Sequence, residues 1–262
     1  MLIYMQKGRE IAADTRLAVI QMTDSSASGS SLWIGAVIMA SSSCRPVSIT
    51  WEYDRVELIA DGIVHAVGTS LGLAGAIAIV ILTANSIRAA DTLSVVIYTI
   101  GLLTMLGFSA AYNLWPISRA KLVLRRFDHS AIYVLIAGTY TPFIAQMKIG
   151  LVSVGLLISV WLVAIVGITL KLLLPGRLDR LAVVFYLLLG WSGAVFYEPV
   201  AAALPSLSLW LLAAGGILYS TGVIFHVWKN LRFQNAIWHG FVLVAACCHY
   251  SAVLACVVFA RA

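Results

Sequence analysis

Four short stretches hold most of the chemistry-capable side chains that lie within or beside long apolar runs. ELIADGIVH sets Glu57, Asp61 and His65 at i, i+4 and i+8, on one helix face. FSAAYN places Ser109 and Asn113 one turn apart, and Asp128 and His129 follow the basic run RAKLVLRR. QNAIWHG puts Asn235 and His239 at i, i+4. Carboxylates and imidazoles are the groups used for proton transfer and for holding divalent metals. Taken singly, each has an ordinary use. A charged residue near a helix end caps it or snorkels to water, and a lone Ser or Asn bonds a neighbouring helix. Asp128, read as a helix start, would satisfy free N–H groups there. Together, at one membrane depth, they point to a shared polar cavity, because such groups are costly inside apolar segments and face the bundle interior.

The elements that carry them follow from composition. Hydrophobic residues make up 61% of the 262 and charged residues 11%. A soluble domain carries about 25% charged residues, so this chain lacks the polar surface to face water all round. Seven apolar segments are expected, at 57–82, 93–115, 129–147, 151–174, 181–198, 207–228 and 236–260. Strand-like alternation is absent, and lipid admits only helices and closed barrels. The expected fold is an all-α bundle of seven transmembrane helices over residues 51–262. Residues 1–50 mix polar, Ser-rich and charged stretches and are expected to be a poorly structured N-terminal region. LWIGAVIMA (32–40) is too short for a span, which needs about 20 residues, and reads as interfacial or as part of a signal-like core. A start further along, at Met22 or Met39, is a further expectation for this region.

Lys and Arg set the orientation. Of 17 such residues, 14 fall in the N-terminal region and the loops after the second, fourth and sixth helices. The positive-inside rule then places the N-terminus in the cytoplasm and the C-terminus outside. All four polar stretches consequently meet the cytoplasmic face. The same reading makes the net charge of +6 a topology signal and not a nucleic-acid patch.

Other features read as structural. Cys44, Cys247, Cys248 and Cys256 form no CxxC pair, so neither a zinc ribbon nor a redox motif is indicated. His249 lies ten residues beyond His239, about 15 Å deeper along a helix, and reads as a buried, hydrogen-bonded histidine. His226 reads as interfacial, and Pro142 as a kink with Thr139 and Thr141 to compensate. Residues 236–260 contain no lysine, which excludes retinal. An odd helix count without an inverted repeat argues against a familiar transporter design.

The blocks ELIADGIVHAVG, FSAAYNLWP, RRFDHSAIYVLIAGTYTPF and AIWHGFVLVAACCHYSAV resemble the haemolysin III family, the bacterial branch of the progestin and adipoQ receptors. The resemblance covers about residues 51–260 and implies seven helices with the N-terminus inside. It also implies kinship with intramembrane metal hydrolases, some of which act on ceramide amides. The family pattern is Ser-x-x-x-His on the second helix, Asp at the start of the third and His-x-x-x-His on the seventh. Its three histidines bind zinc, and its Asp positions water. Ser109, Asp128 and His239 match, and the resemblance assigns Ser109 and Asp128 catalytic roles and His239 a metal-ligand role. Asn113 and Asn235 stand where the other two ligands belong, so the zinc site is degraded and zinc is not assigned as a cofactor. Glu57, Asp61, His65 and His129 are expected to line the cavity, and Asp128, Asn113 and Asn235, with Asp61 or Glu57, are available to an oxygen-ligated cation.

The functional expectation is a multi-pass protein of the inner (cytoplasmic) membrane, serving lipid-related homeostasis or sensing. The alternative is a metal-dependent hydrolase of lipid amides. Membrane lipids are the expected partners, with the basic loop 117–126 drawing anionic headgroups.

Overall fold

A computed structural model describes residues 53–84, 88–174 and 179–258. The expectations for residues 1–50, including Cys44, lie outside them.

Every described element is helical. The order is α1 (Arg55–Ala84), α2 (Ala89–Leu114), α3 (Arg119–Ile144), α4 (Leu151–Leu173), α5 (Asp179–Trp191), a 3₁₀ turn (Ser192–Phe196), α6 (Tyr197–Ala201), α7 (Ser206–Val227) and α8 (Gln234–Val257). Each of α1, α2, α3 and α4 packs on the next, α8 packs against α7, α1 and α3, and α5 touches α3 and α7.

The helices are amphipathic in the sense opposite to that of a soluble protein. On α1, Ile59, Ile63, Val67 and Leu71 are exposed at a spacing of four, whereas Asp61, His65 and Gly68 are buried. On α4, Ile158, Leu162 and Ile165 face out, and Ser153, Gly167 and Lys171 face in. Apolar-out, polar-in is what a lipid solvent selects, since polar groups then find partners only inside. The apolar core runs from Ile79 through Tyr98, Leu102 and Leu135 to Val253. A second cluster joins Tyr133 and Ala137 to Val160 and Ala164.

Six spans are long and apolar enough to cross a membrane: α1, α2, α4, α7, α8 and the stretch Leu181–Ala201. The sequence led us to expect seven. The remaining helix, α3, is 26 residues long, but its first third is the basic run, and it is polar by comparison.

Helix α3 also corrects an expectation about its start. It begins at Arg119, where Ser118 accepts from the Lys121 backbone N–H at 3.4 Å. Asp128 thus sits in the third turn and is not a cap. Lys121 turns back over the end of α2, where its Nζ donates to the carbonyls of Asn113 (3.2 Å) and Trp115 (3.0 Å). A cation at a helix C-terminus satisfies free carbonyls and the dipole together.

The expected fifth helix breaks at Trp191 into the 3₁₀ turn and α6. Tyr140 of α3 makes the break tolerable. Its hydroxyl accepts from Gly193 N at 2.7 Å and lies 3.0 Å from the Leu189 carbonyl and 2.9 Å from that of Gly190. In lipid, backbone groups released by unwinding need such a partner.

Candidate functional site

At one end of the bundle, the start of α1, the end of α2 and the start of α8 bring their polar side chains together. Asp61 is the hub. Its Oδ1 accepts from His239 Nδ1 at 2.6 Å, and its Oδ2 accepts from Asn235 Nδ2 at 2.8 Å. The same Asn235 amide reaches Asn113 Oδ1 at 3.1 Å, and Asn113 Nδ2 donates to the Ser109 carbonyl at 2.9 Å. An ionised carboxylate only accepts, so both partners of Asp61 must donate to it.

His65 completes the group without joining the hydrogen bonding. Its Nε2 stands 3.6 Å from Asp61 Oδ2, within ion-pair range but beyond hydrogen-bond reach, and has no hydrogen-bond partner among the described residues. Its ring lies across that of His239, with centroids 4.4 Å apart and planes tilted by 57°. The residue is 6% exposed, and Asp61 is 4% exposed. Leaving a buried polar atom unsatisfied costs about 1–3 kcal/mol.

Beside these rings is a cavity of ≈ 20 Å³, lined by His65, Ser109 and His239 and by apolar side chains including Met105 and Leu243. That is room for one water or an ion (a water needs about 10–15 Å³) and not for a lipid headgroup. Ser109 of α2 and the Asp128 carboxylate of α3 are neighbours, and His65 and His239 lie within electrostatic reach of that carboxylate. The pair therefore borders the network from α2 and α3.

Two residues expected in the cavity have other duties. Glu57 forms a reciprocal cap with Asp54: Glu57 N donates to Asp54 Oδ1 at 2.8 Å, and Asp54 N donates to Glu57 Oε2 at 2.9 Å. Its Oε1 accepts from Phe233 N at 2.8 Å, which ties the start of α1 to the start of α8. The tie aligns the two helices so that Asp61, one turn on, meets Asn235 and His239. Glu57→Ala should therefore lower stability by about 1 kcal/mol, the usual loss of a half-exposed charged acceptor. Thermal unfolding in detergent reads this, and a loss as large as that of a network residue would contradict it. His129 is half-buried, and its carbonyl accepts from Tyr186 Oη at 2.8 Å.

The other side chains singled out in the sequence are placed simply. His249 Nε2 lies 3.3 Å from the Leu212 carbonyl, deep between α7 and α8. His226 packs on the Trp238 ring at 4.9 Å. Cys247, Cys248 and Cys256 are free thiols. The sequence reading missed Gln234, buried at the head of α8, whose amide donates to the His226 carbonyl at 2.8 Å and accepts from Tyr53 Oη at 3.1 Å. Nothing in its sequence neighbourhood signals Tyr53, 181 positions away.

An all-helical multi-pass membrane fold, with carboxylate, imidazole and amide side chains joined at one end of the bundle, defines the class. Within it, the chain belongs to the haemolysin-III related family, whose model matches residues 57–250. It is 38% identical over 198 residues to the Hemolysin-3 homolog of Bacillus subtilis, covering 76% of this chain and 93% of that protein. It is 34% identical over 198 residues to Hemolysin-3 of Bacillus cereus, covering 76% and 90%. The human Monocyte to macrophage differentiation factor is 31% identical over 163 residues, covering 60% of this chain and 67% of that protein. No solved structure matches the chain.

The zinc pattern that the resemblance implies does not fit at its own positions. Asn113 and Asn235 are neutral amides engaged in hydrogen bonds to each other, to Asp61 and to the Ser109 backbone. Of the three expected ligands only His239 offers an imidazole.

Proposed function

We propose that this protein crosses the cytoplasmic membrane seven times, with α3 as a full span and the polar network facing the cytoplasm, and that it serves lipid-related membrane homeostasis or sensing. What carries the reading is the network itself. Five polar side chains from three helices are hydrogen-bonded or packed together at one end of a bundle of apolar helices, an arrangement that is costly unless used. The family membership and the Lys/Arg distribution support the orientation. The water-sized cavity favours a small polar species as the thing sensed, with lipid engaged at the apolar outer faces of the helices.

Deleting the gene should shift membrane lipid composition, as read by mass spectrometry. The unaltered chain should restore it, and an Asp61→Asn, His239→Ala variant at matched membrane level should not. Equal restoration by both would end this reading. Reporter fusions after α1, α3 and α8 test the orientation.

The pairing of Ser109 with Asp128 beside a water-sized space favours a second reading, a hydrolase of lipid amides. In it, Asp128 would hold and orient a water, and Ser109 would fix the carboxylate. Pure protein that leaves ceramide-type amides intact, under conditions where its fold is verified, would remove this reading.

A further inference from the structure

We infer that the chain holds a zinc-class divalent metal ion on Asp61, His65 and His239, a ligand set carried by α1 and α8, with Asn113 and Asn235 as the groups that hold the ligands in place.

Three observations carry this independently of the family pattern. The ligand atoms of Asp61, His65 and His239, one from each, all lie within 4.8 Å of one another, and no other such group is found among the described residues. Two imidazoles and a carboxylate are a donor set that suits zinc and its neighbours, with metal–ligand distances of about 2.0–2.2 Å. Atoms at those distances from a common centre stand a few ångströms apart, and His65 Nε2 and Asp61 Oδ2 are already 3.6 Å apart. Second, His65 Nε2 is buried and makes no hydrogen bond, and the polar atom it faces is Asp61 Oδ2 at 3.6 Å. In a structural hydrogen-bond triad that nitrogen would be satisfied. Third, the adjoining cavity of ≈ 20 Å³ is lined by two of the three proposed ligands and has room for an ion or a water.

The two asparagines then acquire a role. Asn235 donates to Asp61 Oδ2 at 2.8 Å and to Asn113 Oδ1 at 3.1 Å, and Asn113 is itself anchored on the Ser109 carbonyl. Such outer contacts fix the orientation of a ligating carboxylate and are worth about 10–100-fold in metal affinity. Positions 113 and 235 thus orient the ligands, and the metal load passes to α1. When bound, such an ion supplies Lewis-acid polarisation. The inference rests on the polar network being the functional part of the molecule, as proposed above.

The test uses the full chain purified in detergent, stripped with a chelator and reloaded with zinc or cobalt(II) chloride. Metal content is read by mass spectrometry after gel filtration, and the cobalt form by its visible absorption. About one ion per chain is expected, with the intense spectrum of a low-coordinate N/O site. His65→Ala should lose it, since His65 lies outside the family's ligand pattern, and His65→Gln serves the same purpose should the alanine variant fold poorly. Asn235→Ala should keep the site and bind about tenfold or more weakly. Three results would overturn the inference: no stoichiometric metal in the unaltered protein, metal retained after loss of His65, or metal bound only by an Asn113→His, Asn235→His variant. Such a failure differs from failure of the homeostasis reading, which depends on complementation. A metal-free protein whose network variant still fails to complement removes only the metal. A metal-binding protein whose network variant complements fully removes only the homeostasis role.

Discussion

Asp61→Ala should destabilise the folded protein by about 3 kcal/mol or more, because it leaves two buried donors unsatisfied at about 1–3 kcal/mol each. The substitution deletes the one acceptor shared by His239 and Asn235 and leaves both donors buried without it. In a bundle immersed in lipid, no water replaces the lost oxygen atoms at low cost. Asn235→Ala removes one neutral donor from the same centre and should cost about 1 kcal/mol. Because the residues touch, Asp61→Ala and His239→Ala should be far from additive: once the carboxylate is gone, the imidazole has less left to lose. Unfolding in detergent, followed by circular dichroism on metal-stripped protein, measures all of these. If Asp61→Ala lies within about 0.5 kcal/mol of the unaltered chain, Asp61 is not the hub described here.

Gly101→Leu should have the second large effect, and it acts from a distance. A Cβ at Gly101 would sit 3.0 Å from the Val134 carbonyl oxygen and 3.3 Å from the Leu135 Cα, so it meets the backbone of α3. The facing Gly138 is similarly placed, with the Ile97 carbonyl oxygen 3.3 Å from its would-be Cβ. Small residues on both sides let α2 and α3 approach backbone to backbone, as membrane helices commonly do. A leucine cannot be absorbed by rotating a neighbour, and overpacking of this kind costs about 1–3 kcal/mol or more. Ser109 lies about two turns further along α2, so separating the helices should also pull it from Asp128. Gly107 is the control, because an added Cβ there meets nothing within 4 Å. Gly107→Ala should be neutral, or stabilising by up to about 1 kcal/mol through helix propensity. Equal tolerance of Gly101→Leu and Gly107→Ala in the unfolding assay would refute the close seam.

Much of the architecture is legible in hydropathy. The expected spans 57–82, 93–115, 151–174, 207–228 and 236–260 fall within a few residues of α1, α2, α4, α7 and α8. Helix α3 was misjudged at its start for a clear reason. Hydropathy reports where a segment becomes apolar, whereas the helix begins at its cap, and Ser118 lies ten residues before Asp128. The break in the fifth span was missed because the group that satisfies it, Tyr140, comes from another helix some fifty residues earlier. The partners of Glu57 were not legible, because spacing of four puts it on the face of Asp61, while its side chain turns back to Asp54 and across to Phe233.

The sequence by itself determined that this chain is a helical membrane protein, and it led to the expectation that its polar stretches gather at one end. Those outcomes depend on local composition and period, which each segment carries without reference to its neighbours. The tertiary structure alone decided which groups meet. Asp61 and Asn235 are 174 positions apart and touch at 2.8 Å, and Asp61 and His239 are 178 apart and touch at 2.6 Å. It also decided that the two asparagines hold a carboxylate while His65 is left facing it. The reason is registry: how far α1 is slid along α8, set by contacts such as Glu57 to Phe233, is a property of two helices together and of neither sequence alone.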